Sequence, residues 1–407
     1  MDVTITYDGR PRVLSFGESV SVDEFRPRTA QRPVDADSFR QSLEAAGGKA
    51  WVDGARALIV VNDGFRSTPT PTILDWLDAI DPQLLDRACF LVATGTHEYP
   101  ADAHWPKIFG RHCDRVRDRV TVHSATETTL MAAVGRDRLG GEVLLNSTIL
   151  EASQAIFISS VEPHYFAGFT GGRKSLFPGL CDLATIERNH NLANSVDAQP
   201  MRLAGNPLAE HLDELTALVD TSRFFGIQVV LDAAHNIASL HCGSLGDSFL
   251  GATESARYFF GNQVSQPYDL VIAEVRPPLD ANLYQIQKAL ENCQAGVKDG
   301  GTIVLASACR EGVGSAHFFD LAQTWDRETN KPRGGGLKFG SHKLSRVISH
   351  GRRIRILVDS LVPANEVRQV FYEPLDNLEE FLFISRRNLP DLRPAVVHDA
   401  GNTVLSI

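Results

Sequence analysis

Seven short aliphatic runs, each stopping abruptly at polar or titratable residues, constrain the fold of this chain more than any other feature. They are ALIVV (57–61), CFLVAT (89–94), AIFISSV (155–161), IQVVLDA (227–233), DLVIAEV (269–275), GTIVLAS (301–307) and IRILVDS (354–360). Unbroken β-branched content, rather than strict alternation, is what a strand covered on both faces requires. Helical segments at Ile73–Ile80, Pro207–Val219 and Leu283–Val297 lie between them. Strands alternating with helices imply right-handed crossovers and an α/β architecture. A polar stretch (GNQVSQPY, ending at Tyr268) marks a boundary between a large first unit and a smaller second one, and the KPRGGG segment at 331–336 reads as a loop.

At 407 residues the chain is long enough for two or three domains without a metal or disulfide staple. Forty basic against fifty acidic residues leave a net charge of −10, which excludes a generally nucleic-acid-coating surface or a polybasic membrane patch. A local basic pocket for an anion stays compatible with that sum. The six cysteines form no Cys-x-x-Cys pair and read as buried small residues of a reducing compartment. No leader pattern and no apolar run of membrane-spanning length is visible, so the reading is a cytoplasmic protein with neither nucleic acid nor membrane as partner.

In open parallel sheets ligands bind beyond the carboxyl ends of the strands. There the chain reads Asn62-Asp63-Gly64-Phe65-Arg66, then Gly95-Thr96-His97, then Glu162-Pro163-His164, with Arg276 and Arg310-Glu311 after two later strands. Gly168–Ser175 approximates a phosphate loop, but Arg173 stands where the last glycine is required, and a side chain there obstructs the backbone wrap. Three glycines before Lys174 still signal close approach of something bulky to the backbone, against the plainer reading of a surface turn with a solvated lysine. His97 and His164 closely follow buried strands, where catalytic and structural roles are both open. His104, His112, His123 and His211 read as structural or solvated, and His190 has no strand-end context.

The stretch from Glu162-Pro163-His164-Tyr165-Phe166-Ala167-Gly168-Phe169-Thr170-Gly171-Gly172-Arg173-Lys174-Ser175 through Pro178-Gly179 to Asn189-His190 resembles the nickel-pincer lactate racemase family. Thr94-Gly95-Thr96-His97 and Asp280-x-Asn282-x-Tyr284-Gln285-x-x-Lys288 match in the same order. The resemblance implies two Rossmann-like domains with largely parallel sheets and an active-site cleft between them. Residues 1–264 are then the cofactor-binding and catalytic domain, and 265–407 a substrate-closing α/β domain whose last residues return to the first. It implies a nickel-pincer nucleotide, a pyridinium-3-thioamide-5-thiocarboxylic acid mononucleotide carrying nickel, linked to Lys174. His190 matches the nickel ligand and His97 and His164 the acid/base pair. Asp63, Gly64, Phe65 and Arg66 border the cofactor, and Arg66, Gln285 and Lys288 hold substrate. Other proteins, by the same resemblance, build the cofactor and insert the metal.

Those roles suit the chemistry. Exchanging the enantiomers of a 2-hydroxy acid requires access to both faces of one carbon, where direct proton abstraction is hard and a hydride route is easier. Histidine, titrating near neutrality, suits the accompanying hydroxyl proton transfer, and an arginine fork suits a carboxylate. Two departures bear on substrate. Where family members carry a glycine pair, this chain has Val275-Arg276-Pro277-Pro278. Arg276 can take a second carboxylate, favouring a hydroxy diacid such as malate over lactate; against this, it can pair with Glu274 or face solvent. The late-chain aromatic residue of the lactate enzyme has no assignable counterpart, the last tryptophan being Trp325.

Overall fold

The structure, a computed structural model, describes residues 1–18, 20–52, 57–98, 102–333, 340–389 and 391–407. Packing divides the chain into two compact units, residues 29–259 and residues 1–28 with 260–407. The division therefore falls before Phe260 rather than after residue 264, and the first 28 residues belong with the C-terminal unit. A hairpin of β1 (Asp2–Tyr7) and β2 (Arg10–Ser15) precedes the short strand β3 (Asp23–Phe25). Val3, Ile5, Leu14 and Phe16 are buried in one core with Leu270, Ile272 and Val304, a gain of roughly 2 kcal/mol per side chain. That core, hundreds of residues away in sequence, is why the segment leaves its chain neighbours. The last strand, Val404–Ser406, pairs with Gly261–Gln263 in the same unit, so the final residues do not return to the first.

The unit 29–259 contains β4 (Leu58–Asn62), α1 (Thr70–Ile80), β5 (Cys89–Ala93), β6 (Val120–Val122), β7 (Ala155–Ser160), α2 (Leu183–Asn191), α3 (Pro207–Ala217), β8 (Phe224–Leu231) and β9 (Ile237–Ser244). Its sheet runs β9-β8-β7-β4-β5-β6, parallel except for β9, which lies antiparallel on β8. The inner strands are buried on both faces, with Val60 and Phe157 in one core and Ile59 and Ile158 in the other. β9 was not foreseen: half-exposed at the edge, IASLHCGS lacks the continuous apolar run that marks the inner strands. Strand order reverses between β4 and β7, since β5 and β6 extend one way and β8 the other. Such a reversal opens a crevice at the carboxyl ends of the two strands.

The second unit continues with β10 (Tyr268–Glu274), α4 (Leu283–Cys293), β11 (Val297–Ala306), α5 (Ser341–Gly351), β12 (Arg355–Asp359), β13 (Glu373–Pro374) and β14 (Pro394–Val397). Its sheet, β13-β12-β11-β10-β14-β3, is parallel throughout and reverses between β10 and β14. All seven aliphatic runs are thus strands. Of the segment expected as a loop at 331–336, Lys331–Pro332 instead pairs with Trp325–Asp326, and residues 334–336 lie outside the described residues. All six cysteines are free thiols, but Cys89 is exposed, because it opens β5 ahead of the covered positions, and Cys113 and Cys242 are only half-buried. Among the described residues no helix is long and apolar enough to cross a membrane.

Candidate active site

Within the unit 29–259, the crevice between β4 and β7 is stitched by short side chains. Asn62, the last residue of β4, donates to Ser175 Oγ at 3.2 Å and accepts from Thr68 Oγ1 at 3.1 Å, and Thr68 meets Ser160 at the end of β7 at 2.9 Å. Next along the chain, buried Asp63 accepts from Phe65 N (3.2 Å) through one oxygen and lies 2.6 Å from His97 Nδ1 through the other. His97 sits in the turn after β5, which is anchored by Gly95 N donating to Gly179 O at 3.0 Å. With Nδ1–H given to Asp63, Nε2 is left as the ring nitrogen able to exchange a proton. Asp63 was expected at the cofactor border; the structure places it as the partner that orients a histidine.

The second histidine follows β7. His164 Nδ1 accepts from Ala167 N at 3.3 Å, and its ring stacks on Tyr165 with centroids 5.1 Å apart and 14° between planes. Phe166, buried and overlooked in the sequence, gathers the other groups. Its ring lies edge-on to His164 at 4.4 Å and to His190 at 5.4 Å, with Lys174 Nζ 5.9 Å from its centroid. Its carbonyl is held by Asn206 Nδ2 at 3.0 Å, and the Asn206 Oδ1 also caps α3. The only sequence signal for Phe166 was membership of the Glu162–Ser175 motif.

The glycines of that motif answer to the protein itself rather than to a ligand. A Cβ on Gly168 (φ +78°) would stand 2.3 Å from Arg202 O, and one on Gly171 (φ +73°) 2.6 Å from Ser160 O. Arg173 is buried, its Nε 2.5 Å from Asp213 and its guanidinium 4.7 Å from the Phe249 ring. Only a four-residue 3-10 turn, Gly172–Ser175, follows the glycines. The phosphate-loop alternative has neither the backbone cradle nor the long helix it needs.

Lys174 and His190 are therefore the unusual groups. Burial, reinforced by Arg66 and Arg173 and opposed by Glu162, holds the Lys174 amine well below the ordinary lysine range. That favours the uncharged, nucleophilic form. His190 lies on α2, where the Asp182 cap accepts from Thr185 N at 3.1 Å. Its Nδ1–H donates to Ile186 O at 2.9 Å, leaving the lone pair on Nε2, the tautomer a metal takes. Burial, then the Lys174 charge, pushes this imidazole down to about 4, so it is neutral at physiological pH. Arg66, exposed, is close enough to influence both groups. Among the described residues no group of three or more His, Cys, Asp or Glu could hold a metal. A lone histidine suits a metal that arrives with ligands of its own.

The unit of 1–28 and 260–407 holds the remaining candidates. Arg276 donates to Glu274 through Nε (3.0 Å) and Nη2 (3.2 Å), the pairing that stood as the alternative to a substrate role. Glu274 is fully buried and also accepts from Thr6 N at 2.6 Å and His398 Nδ1 at 2.8 Å. Burial alone would raise this carboxyl; the bonds from His398, Arg276 and Thr6 hold it down at about 2. Gln285 stands in the first turn of α4, its backbone N–H capped by Asn282 at 3.1 Å, beside a cavity of about 480 Å³ also lined by Asp280, Arg310 and Glu311. Arg310 forks onto Asp8, whereas Lys288, half-buried, joins none of the ion pairs among the described residues. Trp325 is buried and bonded to Asn330 at 3.1 Å, a packing role.

Comparison with known proteins matches residues 13–200 to a lactate racemase N-terminal domain and 264–331 to a lactate racemase C-terminal domain. The lactate racemase of Thermoanaerobacterium thermosaccharolyticum is 26% identical over 391 residues, covering 93% of this chain and 83% of the relative. That of Lactiplantibacillus plantarum is 29% identical over 343 residues, covering 79% and 76%. The Thermoanaerobacterium lactate racemase apoprotein superposes with a TM-score of 0.85 at 22% identity over the whole of both chains. A Thermotoga maritima protein gives 0.67 at 16%, covering 93% of this chain and 99% of the other. At those identities the two structural matches speak for the fold.

Proposed function

The chain belongs to the lactate racemase family and is a racemase, an isomerase acting on 2-hydroxy acids, and on that premise we propose that it works with a nickel-pincer nucleotide carried on Lys174. The observation that carries this reading is the gathering of His164, His190 and Lys174 around Phe166 at the β4/β7 crevice. An uncharged lysine amine fits covalent attachment, and a neutral imidazole with its lone pair on Nε2 fits nickel. When bound, the cofactor would supply reversible hydride-accepting chemistry for the substrate carbon.

The chain's own residues do the rest. Arg66 holds the carboxylate, and the family resemblance assigns Gln285 and Lys288 to substrate binding as well. His97 takes the hydroxyl proton of one enantiomer at Nε2, with Asp63 steadying the imidazolium that forms. His164 supplies the proton for the other enantiomer, and the roles exchange in reverse. Tyr165 and Phe166 wall His164 with aromatic surface, which excludes water from the transfer. Partner proteins that build the cofactor and insert nickel belong to this proposal.

On substrate, the diacid expectation needed a guanidinium able to receive a second carboxylate. Arg276 directs its fork at a fully buried Glu274, so a 2-hydroxy monocarboxylate such as lactate is the reading carried forward, with malate the alternative. Chiral chromatography of L-lactate and L-malate after incubation with protein of confirmed nickel content tests it. D-lactate without D-malate is expected. D-malate alone would restore the diacid, and no D-product from a wider panel of 2-hydroxy acids would sink the racemase reading for this chain.

A further inference from the structure

Helices α4 and α5 share a buried polar seam that the proposed reaction does not use. On α4, Tyr284, Gln287 and Glu291 follow one another at i, i+3 and i+7; on α5, Lys343, Arg346 and His350 do the same. The rows meet in order. Lys343 Nζ donates to Tyr284 O at 2.9 Å and lies 3.7 Å from the centroid of the Tyr284 ring. Gln287 Nε2 donates to Lys343 O at 2.9 Å. Arg346 forks onto Glu291 at 2.8 and 2.6 Å, and His350 Nε2 adds a third contact at 2.9 Å. Gln287, Glu291, Lys343 and Arg346 are all at most 5% exposed.

A seam of this kind adds little net stability over apolar packing, because desolvation offsets most of the attraction. What it does supply is register. Apolar ridges tolerate a slide of one helix along another, whereas three directional contacts at matched spacing do not. Gln285 and Lys288 project from the neighbouring face of α4, about 100° round the helix from this seam. Their axial placement is therefore set by whatever fixes α4. Lys343 grips the first turn at Tyr284 O, next to Gln285 and one turn before Lys288. Burial pushes its ammonium down to about 7, with Glu291 opposing, so the site disfavours its charge.

We propose that Lys343 is a positioning residue: by holding the first turn of α4 it sets the register of Gln285 and Lys288 and so the affinity for the substrate carboxylate. The functional half rests on the reading of those two residues as substrate-holding.

The test compares full-length, cofactor-loaded wild type with Lys343→Met and Lys343→Arg. In Lys343→Met, amide exchange across 283–288 is expected to quicken by about tenfold while β10 and β11 keep wild-type exchange. KM for the racemised 2-hydroxy acid is expected to rise by about tenfold with kcat within about twofold, the signature of lost binding rather than lost chemistry. Lys343→Arg, which keeps a charged donor, should recover most of both effects. Wild-type exchange over 283–288 in a folded Lys343→Met variant would overturn the register claim, and an unchanged KM would overturn its consequence for substrate. Should Lys343→Met not fold, Gln287→Leu removes the neighbouring bond without leaving a charge, and a local exchange increase of about threefold is expected; none would again overturn the claim. If wild type racemises no 2-hydroxy acid, the functional reading fails, while the exchange comparison still decides the register.

Discussion

Both sheets reverse their strand order in the same manner, yet the positions just beyond the two reversals hold different chemistry. Beyond β4 and β7, Lys174 and His190 are half-buried, with the Arg66 cation acting on both and Glu162 offsetting only part of the effect at Lys174. Burial therefore drives both toward their uncharged forms, a nucleophilic amine and a metal-binding imidazole. Beyond β10 and β14 the chain places Arg276, Glu274, His398 and Glu24 in one continuous line, His398 bridging the two carboxylates at 2.8 and 2.9 Å. There buried Glu274 and His398 pair with each other, which holds the carboxyl down and the imidazole up. The difference teaches a rule for reading such folds: a base whose desolvation outweighs its counter-charges is poised for chemistry, and a buried charge matched by a counter-charge is holding the structure together. In the second unit, burial likewise outweighs Glu291 at Lys343.

The sharpest break of this comparison is Lys174→Ala. It should abolish the covalent cofactor adduct in intact-mass spectra and reduce racemisation by more than about 10³-fold; an unchanged adduct would refute the assignment. Replacing either acid/base histidine, His97→Ala or His164→Ala, should cost about 10² to 10⁴ in kcat with the adduct retained. Asp63→Asn, which leaves the ring but removes its carboxylate partner, should cost less, about 10- to 100-fold. Equal losses for Asp63→Asn and His97→Ala would mean Asp63 does more than orient.

The charge line in the second unit predicts a stability profile instead. Glu274, held near 2 against an ordinary 4.5, contributes stability that is present above 4.5 and lost as pH falls toward 2. His398 is raised above its ordinary 6.5, chiefly by its bond to Glu274 and also by Glu24. Its contribution is present below 6.5 and lost as pH rises through the higher value. Both ring nitrogens face carboxylates, so a neutral ring must surrender one bond. Denaturant midpoints measured from pH 3 to pH 9 should fall at both ends. His398→Gln should remove the alkaline fall, on the order of 1–2 kcal/mol, and shrink the acid one, since its bond is the first of those that hold Glu274 down. An unaltered alkaline limb would place that loss elsewhere.

The smallest effect is expected at Arg276→Ala. The side chain is 44% exposed and its partner keeps two other donors, so lactate and malate turnover should each change by less than about threefold. A selective loss on malate would bring the diacid reading back.

Much of the framework was legible beforehand. The seven aliphatic runs read as strands because inner strands of a parallel sheet are covered on both faces, a condition written locally in each run. The positions beyond them, Asp63–Arg66, His97 and His164, followed from where such runs stop. β9 escaped because an edge strand is under no such demand, and the docking of the first 28 residues escaped because nothing local records which distant core will bury Val3 or Phe16.

The sequence by itself therefore determined the α/β class, the family and the residues whose chemistry is on offer, since these depend on composition and order along short stretches. Tertiary structure alone decided what each of those residues is paired with. It joined Asp63 to His97 across 34 positions, set Phe166 among His164, His190 and Lys174, and turned Arg276 onto a Glu274 already held by His398 from 124 positions away. The protonation state of a side chain and the direction of its free atoms depend on which other groups share its small volume, and segments distant in the chain supply those groups.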